Sequence, residues 1–492
     1  MQNTEYIEVP AITNNTKNIF NDTLKIAPSK IIGTVANLLS IPLYTSLMGK
    51  SEYGLYSVAI AVLSFICILF SDWVGISALR FFSEKKNRNI TEYLSSLFFL
   101  LFANLSVMYL IAVIFFKPIS QFFQIPPKFL LAVLLIIIPV AVRALLFQIL
   151  RAKIKALFYS ISTIVNQFLT IAFAYYLLKT ASLGSISIII AMALSIFMID
   201  AFIIFKIGIL KKLKFNSIDF SLINSIFKYG LPVSLSSIGT WFILQGNKLV
   251  VQHFYGSSIN GLYGVANNLT FTTLLTLFSI LPLAAIPRIF IKHENNIDVR
   301  PIISKLTGFY LLVACPIIML YCAFPKELVL LFSNQDYVEA YKLLPFLSLS
   351  CFFYSLTEYT ALQYQIAKKT YIDTIIKLVP SVLILVLTPL FIKKLGISGI
   401  GISALLSNLV YFVLSLIVKV PSLESLPQIK TITNIALSAL SSLVIVKLIY
   451  KFINFTGTQE YLVIIFLFIT LYTAFVFLYR SLGLKTSSQS AE

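Results

Sequence analysis

Fourteen apolar blocks separated by short polar stretches constrain the fold of this chain more than any other feature of its sequence. A helix needs about 20 predominantly apolar residues to cross the hydrocarbon core of a bilayer, and each block is about that long. Only 12% of the 492 residues are charged, against about 25% in soluble domains. The sequence therefore predicts an all-α polytopic membrane protein with about 14 transmembrane helices. The blocks fall at 26–48, 55–79, 93–116, 128–150, 156–179, 185–208, 228–251, 259–285, 301–324, 338–366, 371–392, 397–419, 431–452 and 459–481.

One short motif recurs half a chain later. GLYSVA at 54–59 matches GLYGVA at 261–266, and on that alignment Gly49 falls on Gly256. Two weaker matches follow in the same order. Their segments are separated by 215 and 212 residues, whereas the GLY motifs are separated by 207. They are AKIK at 152–155 with AKK at 367–369, and LGSIS at 183–187 with LGISG at 395–399. Three matches in order at nearly one spacing predict a duplicated membrane unit.

An even number of spans separates the matched segments, so the two units would face the same way across the membrane, as parallel transporter repeats do. The predicted organisation is two six-helix lobes in parallel repeat, followed by two C-terminal helices. Its parts are a cytoplasmic N-terminal segment at 1–24, an N-lobe at 25–208, a cytoplasmic inter-lobe loop at 209–227, a C-lobe at 228–419, and the last two helices with a cytoplasmic tail at 420–492.

The distribution of Lys and Arg predicts the orientation. With the N-terminus inside, the inner helix ends carry 26 of the 38 basic residues and the outer ends carry 10, as expected when cytoplasmic loops collect positive charge. Both termini are therefore predicted to be cytoplasmic. The same rule explains the net charge of +19 without a nucleic-acid partner. The four cysteines lie inside apolar blocks without a Cys/His cluster, so we expect no metal site and no cofactor.

Three cations are candidates for a substrate path, because a charge at the membrane centre costs about 2.5–3.5 kcal/mol and usually faces a wet interior or a partner. Arg143 lies about two turns before the basic inner end of its span, where snorkelling is awkward. For Lys248, in the outer part of its span, snorkelling explains the position equally well. Arg80 lies at the inner end of the second span, eight residues after Asp72. Arg and Lys both suit a diphosphate group.

Three acids are candidates for coupling to H⁺ or Na⁺, since ion relays in transporters use buried carboxylates. Glu358 comes first, because YSLTEYTALQYQ surrounds it with hydrogen-bonding groups, and Asp72 and Asp200 follow. A structural hydrogen bond or ion pair between helices also explains each acid taken alone. Asp373 and Lys377 are four residues apart, a spacing that predicts a local ion pair.

Uncharged polar side chains within the spans are candidates for lining a sugar path, although interhelical hydrogen bonding explains any one of them. They are Asn37, Asn166, Gln167, Gln245, Asn267, Asn268 and Asn408. The two GLY motifs put glycines at outer helix ends, where backbones can approach closely. We expect an outer gate there, between Ser57 and Gly264. The alternative is that the motifs only tighten local helical hairpins.

Three segments resemble the bacterial polysaccharide flippases, the branch of the multidrug/oligosaccharidyl-lipid/polysaccharide exporter superfamily that handles O-antigen and capsule repeat units. They are NLLSIPLYTSLMGKSEYGLYSVA, YGLPVSLSSIGTWFILQGNKLVVQHFYGSSINGLYGVA and ELVLLFSNQDYVEAYKLLPFLSLS, and the resemblance runs from about 25 to 420. The family's usual acidic-basic pair before the second GLY motif is here Asn247-Lys248. Any role of that acid is therefore lost or moved.

The resemblance implies a MATE-like fold with two six-helix lobes around a central cavity. It further implies that undecaprenyl-diphosphate-linked oligosaccharides move from the inner to the outer leaflet of the bacterial cytoplasmic membrane. The parallel repeat predicts alternating access, and the acids named above are the candidates for coupling it to H⁺ or Na⁺. Such a multi-pass protein, surrounded by membrane lipid, would serve O-antigen, capsule or exopolysaccharide synthesis. A polysaccharide polymerase and chain-length proteins are its candidate partners.

Two other classes of function remain open. A cation-coupled exporter of drugs or small molecules would share the lobes, although its cavity should be more anionic than the presence of Arg143 suggests. A membrane enzyme would need a catalytic site at the surface. The sequence has no Asp-x-Asp pair and no long outer loop, and its two histidines, His253 and His293, lie at loop edges. We therefore expect a transporter and not an enzyme.

Overall fold

The computed structural model describes residues 16–84, 89–152, 156–181, 183–420, 429–452, 463 and 466–476. The regular structure of these residues is helical, and each predicted apolar block falls on helix, the last one only in part. Nine helices among the described residues are long and apolar enough to cross a membrane. The predicted all-α polytopic class is confirmed, while the number of crossings stays a prediction.

The chain divides into two compact units, residues 1–264 and 265–492, here called unit 1 and unit 2. This division reflects packing, whereas the repeat is defined by sequence, so the lobe boundaries at 25–208 and 228–419 stay predictions. Unit 1 contains α1 (Thr16–Leu47), α2 (Lys50–Cys67), α3 (Trp73–Glu84), α4 (Ile90–Phe122), α5 (Pro127–Ala152), α6 (Ala156–Thr180), α7 (Ile186–Ile207), α8 (Ile209–Lys212) and most of α9 (Phe220–Asn267).

Local sequence signals define several ends of these helices. The Asn89 side chain caps α4 by accepting a hydrogen bond from the Thr91 amide at 3.0 Å. Farther along the chain, α7 stops at Gly208, which adopts a left-handed conformation with φ of 66°. The loop that follows is fixed to α4, since the Lys214 and Asp219 amides donate to serine hydroxyls of that helix at 2.9 and 2.8 Å.

The first part of α9 packs along α2 and α3 in unit 1. Trp241 donates its indole N–H to the Ser64 hydroxyl at 2.9 Å, and the Ser234 hydroxyl donates to the Ile68 carbonyl at 2.8 Å. Ile68 begins a π-helical turn, Ile68–Asp72, that joins α2 to α3. Such turns often occur at functional positions. This one places Asp72 at the junction of the two helices.

The aligned glycines of the repeat occupy equivalent breaks. Gly49 lies between α1 and α2 as the N-cap of α2, with φ of −75°. Gly256 interrupts α9 with φ of 77°, so the residues after it form a separate helical segment. Only the second break needs a left-handed residue. The breaks therefore support the alignment that the sequence predicts, although their backbone geometry differs.

Unit 2 contains the end of α9 and the remaining helices. They are α10 (Thr273–Phe278), α11 (Ile280–Glu294), α12 (Arg300–Ala323), α13 (Pro325–Phe332), α14 (Leu344–Thr360), α15 (Leu362–Ile366), α16 (Thr370–Leu395), α17 (Ser398–Ile417), α18 (Ile429–Phe452) and a described helical stretch, Phe466–Val476. Polar contacts join them, including a hydrogen bond of 2.8 Å from Asn408 on α17 to Ser350 on α14. Interhelical bonding thus engages the amide nitrogen of Asn408, whereas its buried side-chain oxygen has no donor among the described residues.

Candidate functional site

Two opposite charges lie close together inside unit 1 without a direct bond. Arg143 on α5 and Asp200 on α7 interact electrostatically, and these two helices pack against each other. Asp200 is only 5% exposed, yet neither of its carboxylate oxygens has a hydrogen-bond partner among the described residues. Arg143 lies 5.9 Å from the centre of the Phe147 ring. A buried carboxylate without a donor is costly, which makes this pair a candidate for binding or transport.

Asp72 and Arg80 separate into different environments. Asp72 is half-buried at the end of the π turn and accepts a hydrogen bond from the Ser71 hydroxyl at 3.4 Å. The Cys67 thiol lies within electrostatic range of both Asp72 and Arg143. Arg80 is exposed, and its guanidinium lies 4.1 Å from the centre of the Tyr229 ring on α9. Asp72 thus lies within the helix bundle beside Ser71, while Arg80 stacks on Tyr229 at the surface.

The two GLY motifs meet within unit 1. A β-carbon on Gly54 would overlap the Ser257 carbonyl, and one on Gly261 would overlap the Lys50 carbonyl. At Gly264 the position of a β-carbon is 2.9 Å from the Ser57 hydroxyl oxygen. Only glycine allows two helices to approach so closely. This contact, here called the motif contact, shows that the motifs do more than tighten separate hairpins.

Lys248 is buried beside the elements of the motif contact. Its side chain lies on α9 and is 3% exposed, and it makes no ion pair with any acid among the described residues. The neighbouring Asn247 hydrogen-bonds Tyr263 of the second motif. A buried ammonium without an acid is costly. Lys248 therefore does not reach the surface in this structure, as snorkelling would require.

A polar network extends from the motif contact to the turn between α4 and α5. Asn260 donates to the Gly54 carbonyl at 3.3 Å and to Gln252 at 3.4 Å. Gln124, in the turn, donates to the His253 carbonyl at 3.3 Å. The sequence did not predict this network, because the bonds of Asn260 to Gly54 and of Gln124 to His253 join residues more than 100 positions apart. The polar run around 252–260 was the available signal.

A carboxylate that the sequence analysis overlooked ties α2 to α7. Glu52 accepts hydrogen bonds from the Ser185 amide at 2.7 Å and from its hydroxyl at 2.6 Å. Ser185 directly precedes α7, so the acid lies at the N-terminal end of the α7 dipole. Gly184, with φ of 55°, allows this approach, because a β-carbon there would overlap the carboxylate. Glu52 thus connects the first motif to α7, which also carries Asp200.

Several of the polar side chains predicted to line a sugar path lack hydrogen-bond partners. Asn166, Gln167 and Gln245 in unit 1 each have a buried side-chain oxygen without a hydrogen-bond donor among the described residues. Gln167 packs against Gly33 of α1, 2.9 Å from the position of a β-carbon. The remaining members differ in surroundings: Asn37 is half-buried on α1, Asn267 is buried, and Asn268 accepts a hydrogen bond from Thr272 at 3.1 Å.

Unit 2 contains a second group of charges. Lys377 pairs with Asp373 at 2.7 Å, which confirms the predicted local ion pair. Tyr411 on α17 donates to the other Asp373 oxygen at 2.8 Å. Glu358 on α14 hydrogen-bonds Tyr354 and interacts electrostatically with both members of the pair. The sequence predicted the pair and Glu358 separately, and the packing of α14, α16 and α17 brings them together.

The fold is that of the MurJ and MATE transporters. The lipid II flippase MurJ, in an inward closed conformation, matches with a TM-score of 0.76 and 18% identity, covering 94% of this chain and 99% of that one. An inward-facing multidrug resistance MATE family transporter of the MOP superfamily gives 0.63 and 13%, covering 81% and 96%. A mutant of the Vibrio cholerae MATE transporter VcmN gives 0.54 and 14%, covering 82% and 95%. The class is therefore a polytopic membrane protein with a MATE-like fold.

The sequence itself matches a family as well. The family described as polysaccharide biosynthesis protein matches residues 44–342, more than half of the 492 residues. The chain belongs to this polysaccharide biosynthesis family, as the three resembling segments predicted. None of the curated protein sequences matches it.

Proposed function

We propose that this protein is a flippase that moves undecaprenyl-diphosphate-linked oligosaccharide repeat units from the inner to the outer leaflet of the cytoplasmic membrane for surface polysaccharide synthesis. The observation that carries the proposal is the half-buried Arg143 and the buried Asp200, which interact without a direct bond, in a member of a polysaccharide biosynthesis family. An arginine fork suits a diphosphate. The unsatisfied amide oxygens of Asn166, Gln167 and Gln245 suit sugar hydroxyl donors.

The test is complementation of a strain that lacks this protein. Arg143→Ala should reduce surface polysaccharide and cause lipid-linked repeat units to accumulate inside, while Arg143→Lys should be milder because it keeps the charge. Immunoblotting of membranes checks that each variant is present. Normal export by the Arg143→Ala variant at low expression would contradict the proposed anion-binding role of Arg143.

We further propose that unit 2 couples transport to H⁺ or Na⁺. Glu358 and Asp373 lie around a single ammonium, Lys377, so the group carries more acid than base. Such an arrangement suits exchange of a cation during the transport cycle.

A matched pair of variants tests the coupling. Glu358→Gln should abolish the dependence of export on the proton or sodium gradient. Asp298→Asn, our control, alters an exposed acid before α12 whose carboxyl pKa is held below its usual value by hydrogen bonds from Arg300. Asp298→Asn should leave export unchanged. An unaltered gradient dependence in Glu358→Gln would contradict coupling at this site.

The competing function is export of cationic drugs, which the MATE-like fold allows. Arg143 argues against it, because a half-buried guanidinium in the proposed path repels cations. Increased drug resistance of cells that express the protein, without restored polysaccharide, would favour the exporter.

A further inference from the structure

A long apolar groove runs between α5 and α7 on unit 1, and Asp200 of the charged pair contributes to its lining. Its volume is about 1060 Å³, and it extends from Lys128 near the predicted outer end of α5 to Leu210 just beyond α7. The walls are aliphatic and aromatic side chains of both helices. Asp200 also lines the groove, but it is 5% exposed and adds almost no polar surface.

The length of the groove limits what can fill it. Along α7 its lining runs from Ile186 to Phe205, and the 19 steps between these residues span about 29 Å at a rise of 1.5 Å each. This matches the full hydrocarbon thickness of about 30 Å. A phospholipid acyl chain occupies one leaflet only. A single chain that fills the groove must therefore be longer than a phospholipid chain.

The rim of the groove faces lipid. Phe197 is 69% exposed, Phe205 88% and Leu135 63%, and exposed apolar side chains of a membrane-spanning helix contact the bilayer. A hydrocarbon chain gains little from exchanging lipid for protein, since both are apolar. Selective binding must therefore come from the fit along the groove and from a polar contact at one end.

Lys128 supplies that polar contact. It is exposed at the predicted outer end of the groove and makes no ion pair with any acid among the described residues. A flexible ammonium suits a phosphate that arrives at the membrane surface. The length of the groove favours a lipid with one long chain over an ordinary phospholipid, and Lys128 suits the phosphate that such a carrier lipid bears.

We propose that the α5–α7 groove binds the polyprenyl chain of the carrier lipid, with Lys128 contacting its phosphate at the outer side. This inference rests on the proposed flippase function, in which the sugar crosses through protein while the chain stays in hydrocarbon. The groove would hold that chain and align the head group after it has crossed.

Photo-labelling in nanodiscs tests the proposal. The purified protein is irradiated with diazirine-bearing undecaprenyl phosphate, or with diazirine-bearing phosphatidylglycerol at the same mole fraction, and labelled peptides are mapped by mass spectrometry. We expect the undecaprenyl probe to label α5 and α7 peptides several-fold more than the phospholipid probe.

Two matched pairs of variants locate the site. Ala193→Trp fills the groove and should reduce labelling several-fold, whereas Val113→Trp, on an exposed position of α4, should not. Lys128→Gln should weaken labelling, whereas Lys117→Gln, an exposed lysine at the end of α4, should not. The lysine variants change only exposed positions, so they remain informative if Ala193→Trp fails to fold.

Equal labelling by both probes, or labelling that none of the groove variants reduces, would mean that bulk lipid fills the groove and would overturn the proposal. Complementation separates this failure from that of the flippase function. If the wild-type chain supports export but its groove is not labelled, only the groove proposal is contradicted. If the wild-type chain does not support export, the proposed flippase function, on which the groove proposal depends, is contradicted.

Discussion

Single and double substitutions of Arg143 and Asp200 can distinguish a role in protein stability from a role in transport. Each neutralises part of the other's charge, so removing one leaves an uncompensated buried charge. We expect Arg143→Leu and Asp200→Leu each to destabilise the protein by about 1–3 kcal/mol, and the double variant to recover much of that loss. Thermal melting in detergent measures the stability.

Export of polysaccharide should not recover in the double variant, because the guanidinium that we propose binds the diphosphate is absent. Recovery of both stability and export would show that the two residues only compensate each other's charge and do not bind substrate.

Lys248 leads to the opposite expectation for stability. Its ammonium is buried without an acid among the described residues, so Lys248→Met should remove a desolvation cost and raise the melting temperature by a few degrees. Export should fall if the charge binds substrate when the motif contact opens. Lys228→Met, at an exposed position of the same helix, is the control. A lower melting temperature for Lys248→Met would contradict this view.

At the scale of helices, the aligned glycines give a controlled comparison. Neither Gly49 nor Gly256 has a neighbour within 4 Å of a β-carbon position. They differ in backbone, since only Gly256 is left-handed. Gly256→Ala should therefore destabilise the protein by about 1–2 kcal/mol through backbone strain, while Gly49→Ala should be neutral within about 0.5 kcal/mol. Equal melting temperatures for the two variants would contradict the left-handed backbone conformation of Gly256 in α9.

The sequence predicts helices better than it predicts their partners. Apolar blocks located α4 to α7 closely, because the bilayer demands about 20 apolar residues wherever a helix crosses. The ion pair of Asp373 and Lys377 was predictable, since helical spacing alone brings the side chains together. The bonds from Ser185 to Glu52 were not, because they depend on how α2 and α7 pack.

The internal repeat predicted more of the candidate site than the apolar blocks did. It aligned Gly49 with Gly256 and directed attention to Ser57 and Gly264, which the structure places in contact. It did not reveal that Lys248 is buried, since position along a span gives depth and not the direction in which a side chain faces.

For the whole molecule, the predicted orientation can be tested by thiol labelling in intact cells. Single cysteines at Lys212 and Lys86, the latter outside the described residues, should be shielded from impermeant reagents, because positive charge keeps these loops inside. Cysteines at Gln124 and Asn334 should react. The background must lack the native cysteines, since Cys322 is exposed. Labelling at Lys212 in intact cells would reverse the orientation.

Alternating access predicts that locking the motif contact stops transport. Ser57 and Gly264 have β-carbon positions 3.1 Å apart, close to the separation of about 3.5–4.5 Å in a disulfide. Cysteines at both positions should cross-link on oxidation, and export should stop until reduction. Each single cysteine variant is the control. A cross-linked protein that exports normally would show that this contact is not a gate.

The central claim is that the protein carries lipid-linked oligosaccharide across the membrane, and proteoliposomes test it most directly. Undecaprenyl-diphosphate oligosaccharide is enclosed on the inner leaflet, and its exposure to an impermeant sugar oxidant outside is followed with time. We predict exposure at a rate well above that of empty liposomes, slowed at least several-fold by Arg143→Ala and stopped by the Ser57–Gly264 cross-link. Exposure no faster than in empty liposomes, with protein that is folded and inserted, would contradict the claim.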